Sequence, residues 1–171
     1  MSNSLPNNIA IAGAGLLGRL LAWQLLQANC KVTLFEAGSF TPDAPQTHRA
    51  AAFTAAGMIA PLSEAVVSDE GVYRMGQYAL QQWPAWLEKL KAKQAYFFQR
   101  GSLVIAHPQD MSELEQFERE LAFVIPECKT YHRVNQQQIQ ELEPDLNPHF
   151  SQGLFLAEEG HINNRQLLAA L

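Results

Sequence analysis

An α/β fold that opens with a parallel βαβ unit is predicted by three observations between residues 9 and 36. Ile9-Ala10-Ile11-Ala12 is a short apolar run of the kind that forms parallel strands buried on both faces. It runs into Gly13-Ala14-Gly15-Leu16-Leu17-Gly18, after which Leu17, Leu20, Leu21, Leu25 and Ala28 recur at helical spacing. Lys31-Val32-Thr33-Leu34-Phe35 is then β-branched and apolar up to Glu36, where a strand presents an acid at its carboxyl end. Asn29, between helix and second strand, is placed to close the helix.

The residue types in this unit match what a dinucleotide requires. Gly13 lets the chain turn sharply off the strand, Gly15 has no side chain to hold a pyrophosphate away from the backbone, and Gly18 lets the helix lie close on the sheet. The helix start carries unpaired N–H groups and roughly half a unit of positive charge, which favour an anion there. Glu36 follows Gly18 by 18 residues and is placed to accept hydrogen bonds from a ribose. On these residues alone NAD and FAD are both accommodated.

Composition excludes several other classes. With 171 residues, 47% apolar and 17% charged, the chain can bury on the order of 70% of its unfolded surface, so a globular core is expected. A net charge of -5 with no run of lysines or arginines argues against a nucleic-acid partner. The apolar region 9–23 is broken by Gly13, Gly15, Gly18 and the charge of Arg19, so no membrane span is expected. The first eight residues lack the basic start of an export signal, which makes the cytoplasm the expected location. Cys30 and Cys128 form no Cys-x-x-Cys and read as reduced thiols. His48, His107, His132, His149 and His161 share no metal-ligand spacing and read as surface or packing residues; no metal is expected.

Beyond Glu36, the residues Gly38, Ser39, Pro42, Asp43 and Pro45 mark a loop before His48 and Arg49. The run from Ala50 to Pro61 is almost free of bulky side chains until Met58, which permits either a flat ligand near the backbone or a closely packed alanine-rich helix. Val72, Met75, Ala79, Leu80, Trp83, Leu87 and Leu90 keep a helical period. Pro84 interrupts it at a cost of about 3 kcal/mol, so a kink or two abutting helices are expected, with Trp83 and Trp86 in the core. Residues 101–106 read as a strand ended by Pro108. Asp110 and Glu113 resemble a capping pair for a helix to about Phe123, with Met111, Leu114, Phe117 and Leu121 on one face. Residues 129–134 read as a short strand, Asn135 as the cap of a helix through Leu142 stopped by Pro144, and 153–157 as a further strand. Glu115, Glu118 and Glu120 read as a solvated helix face, and Glu158 and Glu159 as a turn before Gly160. A helix begins at Asn164, and the absence of any cap after Leu171 suggests a chain cut inside an element. No Gly-x-Ser-x-Gly elbow and no Gly-Lys-Ser or Gly-Lys-Thr phosphate loop occurs.

Four stretches together resemble the amino-terminal half of the flavoprotein oxidases that include glycine oxidase, D-amino acid oxidase, sarcosine oxidase and the D-amino acid dehydrogenases. They are 11–18 with Glu36, the run Thr54-Ala-Ala-Gly-Met-Ile-Ala-Pro61, Arg100-Gly-Ser-Leu-Val-Ile105, and Leu142-Glu-Pro-Asp-Leu146 followed by Glu159-Gly-His-Ile162. The second is the most specific and is similar to the glycine oxidase branch. The resemblance implies a Rossmann-like FAD-binding domain of the glutathione-reductase type with part of an α+β substrate domain, both incomplete. Residues 1–61 would form the FAD-binding βαβ portion, 62–157 helices and strands of the substrate or cap domain, and 158–171 a return to the FAD-binding domain.

By the same resemblance, FAD would lie with its pyrophosphate and adenosine ribose on Gly13, Gly15, Leu16, Leu17, Gly18, Glu36 and Ala37. The pyrophosphate and flavin would pass Ala51, Ala52, Ala55, Ala56, Gly57 and Met58. The implied reaction is hydride transfer from the carbon bearing the amine of a small amino acid or amine, with oxygen or a quinone as final acceptor. Ala52 stands where relatives often carry a hydroxyl, and Asn163-Asn164 stands where many have an acidic or apolar residue and proline, which implies a less rigid entry to the last helix. Relatives are much longer, and their substrate-clamping arginine belongs to the half absent here, so turnover by this chain alone is not expected. The other readings are a nicotinamide-binding dehydrogenase domain and a truncated or structural subunit that needs a partner chain. Association through the face left exposed is expected in either fragment case.

Overall fold

The computed structural model describes residues 8–40, 50–92 and 94–171. The leading residues 1–7, the expected loop residues Pro42, Asp43 and Pro45, and His48 and Arg49 lie outside the described residues. The chain divides into two compact units, one of residues 1–57, Ala85–Tyr96 and Ile162–Leu171, the other of Met58–Pro84 and Phe97–His161.

The first unit is built on strand β1 (Asn8–Ala12), helix α1 (Leu16–Gln27) and strand β2 (Lys31–Phe35). β1 and β2 are parallel, with Ile9 opposite Val32 and Ala12 opposite Phe35. Helix α1 ends as the sequence predicts: Asn29 takes φ 61°, Asn29 N–H donates to Leu26 and Cys30 N–H to Leu25, the paired bonds that satisfy the last carbonyls. Two details differ from expectation. Ile11 is buried but Ala10, Ala12 and Phe35 are exposed, so the strands are covered on one face rather than both. On α1 the buried positions are Arg19 and Ala22, while Leu17 and Leu21 are exposed. The cause is Gly18, whose lack of a side chain brings the helix down on that side. A 3₁₀ turn (Ala51–Phe53) and helix α6 (Asn164–Ala170) complete the unit. The run 50–61 therefore forms no α-helix. Asn163 caps α6 by accepting the Gln166 N–H at 2.9 Å.

The second unit holds two small sheets. In one, β3 (Met58–Ile59) pairs antiparallel with β8 (Gly160–Ile162), and β4 (Phe97–Phe98) lies on the other side of β8. In the other, β5 (Ser102–Ile105), β7 (Gln152–Leu156) and β6 (Tyr131–Asn135) form an antiparallel sheet with β7 central. Helices α2 (Pro61–Val67) and α4 (Met111–Val124) supply its core, where Leu62, Ala65, Leu114, Leu121, Ile125 and Cys128 pack with Leu154 and Leu156. Asn135 caps α5 (Gln136–Leu142) in a reciprocal arrangement with Gln138.

One further expectation is narrowed and another is corrected. Helix α3 (Glu70–Lys89) runs through Pro84 as one element rather than two abutting helices, with Leu80 and Trp83 buried in the turn before it. Asp110 makes no side-chain cap; its ψ of 17° follows a 3₁₀ turn and is not the extended conformation from which a carboxylate reaches the first amides. His107 and His149 are stacked with ring centroids 5.2 Å apart and a 3.1 Å Nδ1–Nε2 contact, yet among the described residues no group of three or more metal-ligating side chains forms. Cys30 and Cys128 are free, and among the described residues no helix is long and apolar enough to cross a membrane.

Candidate dinucleotide site

Because β1 and β2 run parallel, the glycine turn and Glu36 leave the sheet at the same end. Gly13 N–H donates to the Phe35 carbonyl at 2.8 Å, and Gly13 takes φ +99°, which side-chain-bearing residues rarely adopt. A Cβ on Gly18 would lie 1.9 Å from the Gly13 carbonyl oxygen, so the turn closes only without one. Gly15 precedes the helix, and a Cβ there would meet the Ala50 methyl at 3.3 Å; the start of the alanine run therefore passes against the glycine turn. Leu16, Leu17 and Gly18 form the first turn of α1, and Arg19 is the first residue whose N–H finds an intrahelical acceptor, Gly15 at 3.0 Å. The three N–H groups before it have no carbonyl within the helix to bond.

Glu36 is held by this turn. Its Oε2 accepts the Ala14 N–H at 2.6 Å and its Oε1 the Gly38 N–H at 3.0 Å. The Gly38 amide, then the Ala14 amide, together with the Ala37 amide and the Arg19 charge, outweigh desolvation and hold the carboxyl below its ordinary value of 4.5. It is thus a carboxylate at neutral pH with lone pairs left for hydroxyl donors. Ala37 follows it, exposed.

The alanine run is gripped from behind. Asn164, only 9% exposed, donates its side-chain amide to the carbonyls of Ala52 and Ala55, and its own Oδ1 accepts the Arg165 N–H at 3.0 Å. Arg165 Nε donates to the Phe53 carbonyl at 3.1 Å. Ile162 N–H donates to Gly57, and a Cβ on Gly57, at φ +79°, would lie 2.1 Å from the Ile162 carbonyl oxygen. Ala51, Ala55 and Ala56 remain exposed, and a polar recess of about 330 Å³ opens beside Ala55 and Ala56, bordered by Thr54, Tyr96, Asn163 and Arg165. The first unit thus brings together Gly13, Gly15, Leu16, Leu17, Gly18, Glu36 and Ala37, with the alanine run starting against Gly15. Met58 falls in the second unit, exposed, opposite His161.

Three residues with structural consequence escaped the sequence reading. Arg19 is buried beneath the turn; a lone cation in an apolar helical stripe was its only signal. Asn164 ties the entry to α6 to the alanine run through Ala52 and Ala55, and the consecutive asparagines at a helix start were the clue. Glu159, expected in a turn before Gly160, is fully buried: its carboxylate accepts the Ser63 N–H at 2.7 Å, the Ser63 hydroxyl at 3.2 Å and the Ser102 hydroxyl.

A parallel βαβ unit whose glycine turn admits no Cβ at Gly18, with a carboxylate fixed at the end of its second strand, defines a dinucleotide-binding α/β protein. Residues 8–171 match the model of the DAO family, FAD dependent oxidoreductase, and the chain belongs to that family. A protein of Rhizobium etli named as a thiamine biosynthesis oxidoreductase, ThiO, is 34% identical over 163 residues, covering 95% of this chain and 44% of its own length. The crystal structure of glycine oxidase from Geobacillus kaustophilus aligns with a TM-score of 0.72 at 19% identity, over 96% of this chain and 43% of that one. Iminodiacetate oxidase from Chelativorans sp. BNC1 aligns with a TM-score of 0.70 at 23% identity, over 95% and 42%. The fold is that of FAD-binding oxidases over part of their length, as the resemblance implied.

Proposed function

We propose that this chain forms the adenosine and pyrophosphate side of an FAD site in an oxidoreductase acting on the CH–NH group of a small amino acid or amine. The observation that carries the reading is the glycine turn, closed by Gly18 against the Gly13 carbonyl where a Cβ would clash and joined to Glu36 through Ala14. The cradle fits the group: three first-turn N–H groups suit a pyrophosphate, and a carboxylate with spare lone pairs suits the ribose hydroxyls. Gly13, Gly15, Leu16, Leu17, Gly18, Glu36 and Ala37 would hold the ADP portion. Ala51, Ala52, Ala55, Ala56 and Gly57 would line the path toward the flavin, a role their small side chains and the recess beside Ala55 support. Bound FAD would supply a hydride acceptor, which no side chain can.

The proposed division assigns 1–61 and 158–171 to cofactor binding and 62–157 to the substrate side. The chain spans 44% of the length of its Rhizobium relative. Substrate selection and turnover are accordingly proposed for the family-length protein, of which this span would supply the ADP side. The test is the visible spectrum of the purified chain mixed with FAD and passed through a desalting column. Retained flavin absorption supports the reading. A colourless protein that instead takes up NADH overturns it.

A further inference from the structure

Arg19 is 8% exposed and distributes its guanidinium among three backbone carbonyls: Nε to Ala14 at 2.7 Å, Nη1 to Leu168 at 2.6 Å and Nη2 to Phe40 at 2.9 Å. The Phe40 ring lies 5.8 Å from its central carbon. Among the described residues no ion pair with a carboxylate forms at this side chain. Each of its three nitrogens thus donates to a backbone dipole, and its charge acts on the Glu36 carboxylate without touching it, an arrangement that costs desolvation and calls for a reason other than packing. An apolar side chain like that of its buried neighbour Ala22 would pack without that cost.

We infer that Arg19 is a positioning residue that sets how strongly the glycine turn grips an anionic group, acting on the Gly15 N–H through the Ala14 carbonyl. The inference rests on the dinucleotide reading above. The Ala14 carbonyl and the Gly15 N–H belong to one peptide group, and in a trans peptide they point to opposite sides. A charge-assisted hydrogen bond on the oxygen draws electron density toward it and leaves the N–H at the other end a stronger donor. The same bond fixes the rotation of that peptide plane. On the preceding peptide, the Ala14 N–H is held by the Glu36 carboxylate. Ala14 is thus bracketed by charges of opposite sign from two elements, and both peptides of the turn are oriented before any ligand arrives. Lysine would not substitute, since a point charge cannot serve three carbonyls in the fork geometry seen here.

The probes are ADP, which carries the pyrophosphate, and adenosine, which lacks it, each titrated calorimetrically into the full chain and its R19M and R19K variants. Arg19→Met is expected to weaken ADP by about ten-fold or more, the scale of one charge-assisted hydrogen bond, and adenosine by less than about two-fold. Raising salt should narrow the ADP difference between wild type and variant. Arg19→Lys should fall between the two, and it carries the test if Arg19→Met does not fold. Equal losses of ADP and adenosine would mark a purely structural residue and overturn the inference, as would no loss of either. A wild-type chain that binds neither probe removes the dinucleotide reading and this inference with it; binding with an unmoved ADP-to-adenosine ratio in the variants removes this inference alone.

Discussion

The carboxylate of Glu159 accepts the backbone N–H of Ser63 at 2.7 Å across 96 residues of sequence, in a site closed to solvent. The same side chain takes both serine hydroxyls at positions 63 and 102, so one acid satisfies the first turn of α2 and the start of β5. Removing it leaves buried donors without acceptors. Glu159→Ala is expected to destabilise the protein by about 2–4 kcal/mol and Glu159→Gln, which keeps one acceptor oxygen, by less. Urea unfolding of the two variants checks the order; equal stability to wild type would show that the serines find other acceptors.

The glycine turn makes a sharper prediction because the clash is with backbone. Gly18→Ala places a methyl 1.9 Å from the Gly13 oxygen, and Gly57→Ala places one 2.1 Å from the Ile162 oxygen at a positive φ. Neither neighbour is the end of a flexible chain, so strands or helix must shift. Both variants should lower the melting temperature and lose FAD retention on a desalting column. Gly15→Ala meets only the Ala50 methyl at 3.3 Å. It should keep near-normal stability while weakening FAD, because the added methyl projects from the turn where the phosphates are proposed to sit. Normal FAD retention in Gly15→Ala would remove that face from the site.

For Glu36 the sign of the pH effect follows from its lowered pKa. An acid whose folded value lies below its ordinary 4.5 stabilises the fold fully at higher pH and loses that contribution as pH falls from about 4.5 toward the folded value. The melting-temperature gap between wild type and Glu36→Gln should therefore be full at pH 7 and close in acid. A gap that widens in acid contradicts the bonding to Ala14 and Gly38. At pH 7 Glu36→Ala should also weaken FAD by about 10- to 100-fold, the scale of hydrogen bonds to a charged group. Unchanged affinity would detach Glu36 from the ribose.

The βαβ unit was legible because its signals are local: a strand, a glycine spacing, a helical period and an acid at a fixed distance. The Asn135 cap and Asn29 closure were readable for the same reason, since each acts within four residues of itself. What escaped acts over long separations. Arg19 meets Leu168 across 149 residues, Asn164 meets Ala52 across 112, and Glu159 meets Ser63 across 96. Nothing in composition or period distinguishes such a residue from a solvated one, and the orientation of α1 was misread because Gly18 brings Arg19 rather than Leu17 under the turn. At Pro84 the local rule leaves a kink or two helices open, and the chain keeps one helix with Leu80 and Trp83 buried.

Asn164 supplies the remaining prediction, and its chemistry separates shape from hydrogen bonding. Its amide donates to two carbonyls of the alanine run while its oxygen takes the Arg165 N–H, so the group is used at both ends. Asn164→Asp preserves the outline but sets a carboxylate oxygen against the Ala52 and Ala55 carbonyls, replacing two attractions with repulsion. It should destabilise more than Asn164→Leu, which loses the bonds at about 1–3 kcal/mol but introduces no charge. The repelled carboxyl of the aspartate variant would have a raised pKa, so its deficit relative to the leucine variant should be largest at neutral pH and shrink in acid as the group protonates and regains one donor. Melting temperatures of the pair from pH 7 to pH 4 decide the matter. If the leucine variant is the less stable of the two at pH 7, Asn164 acts through its volume and not through its grip on the alanine run.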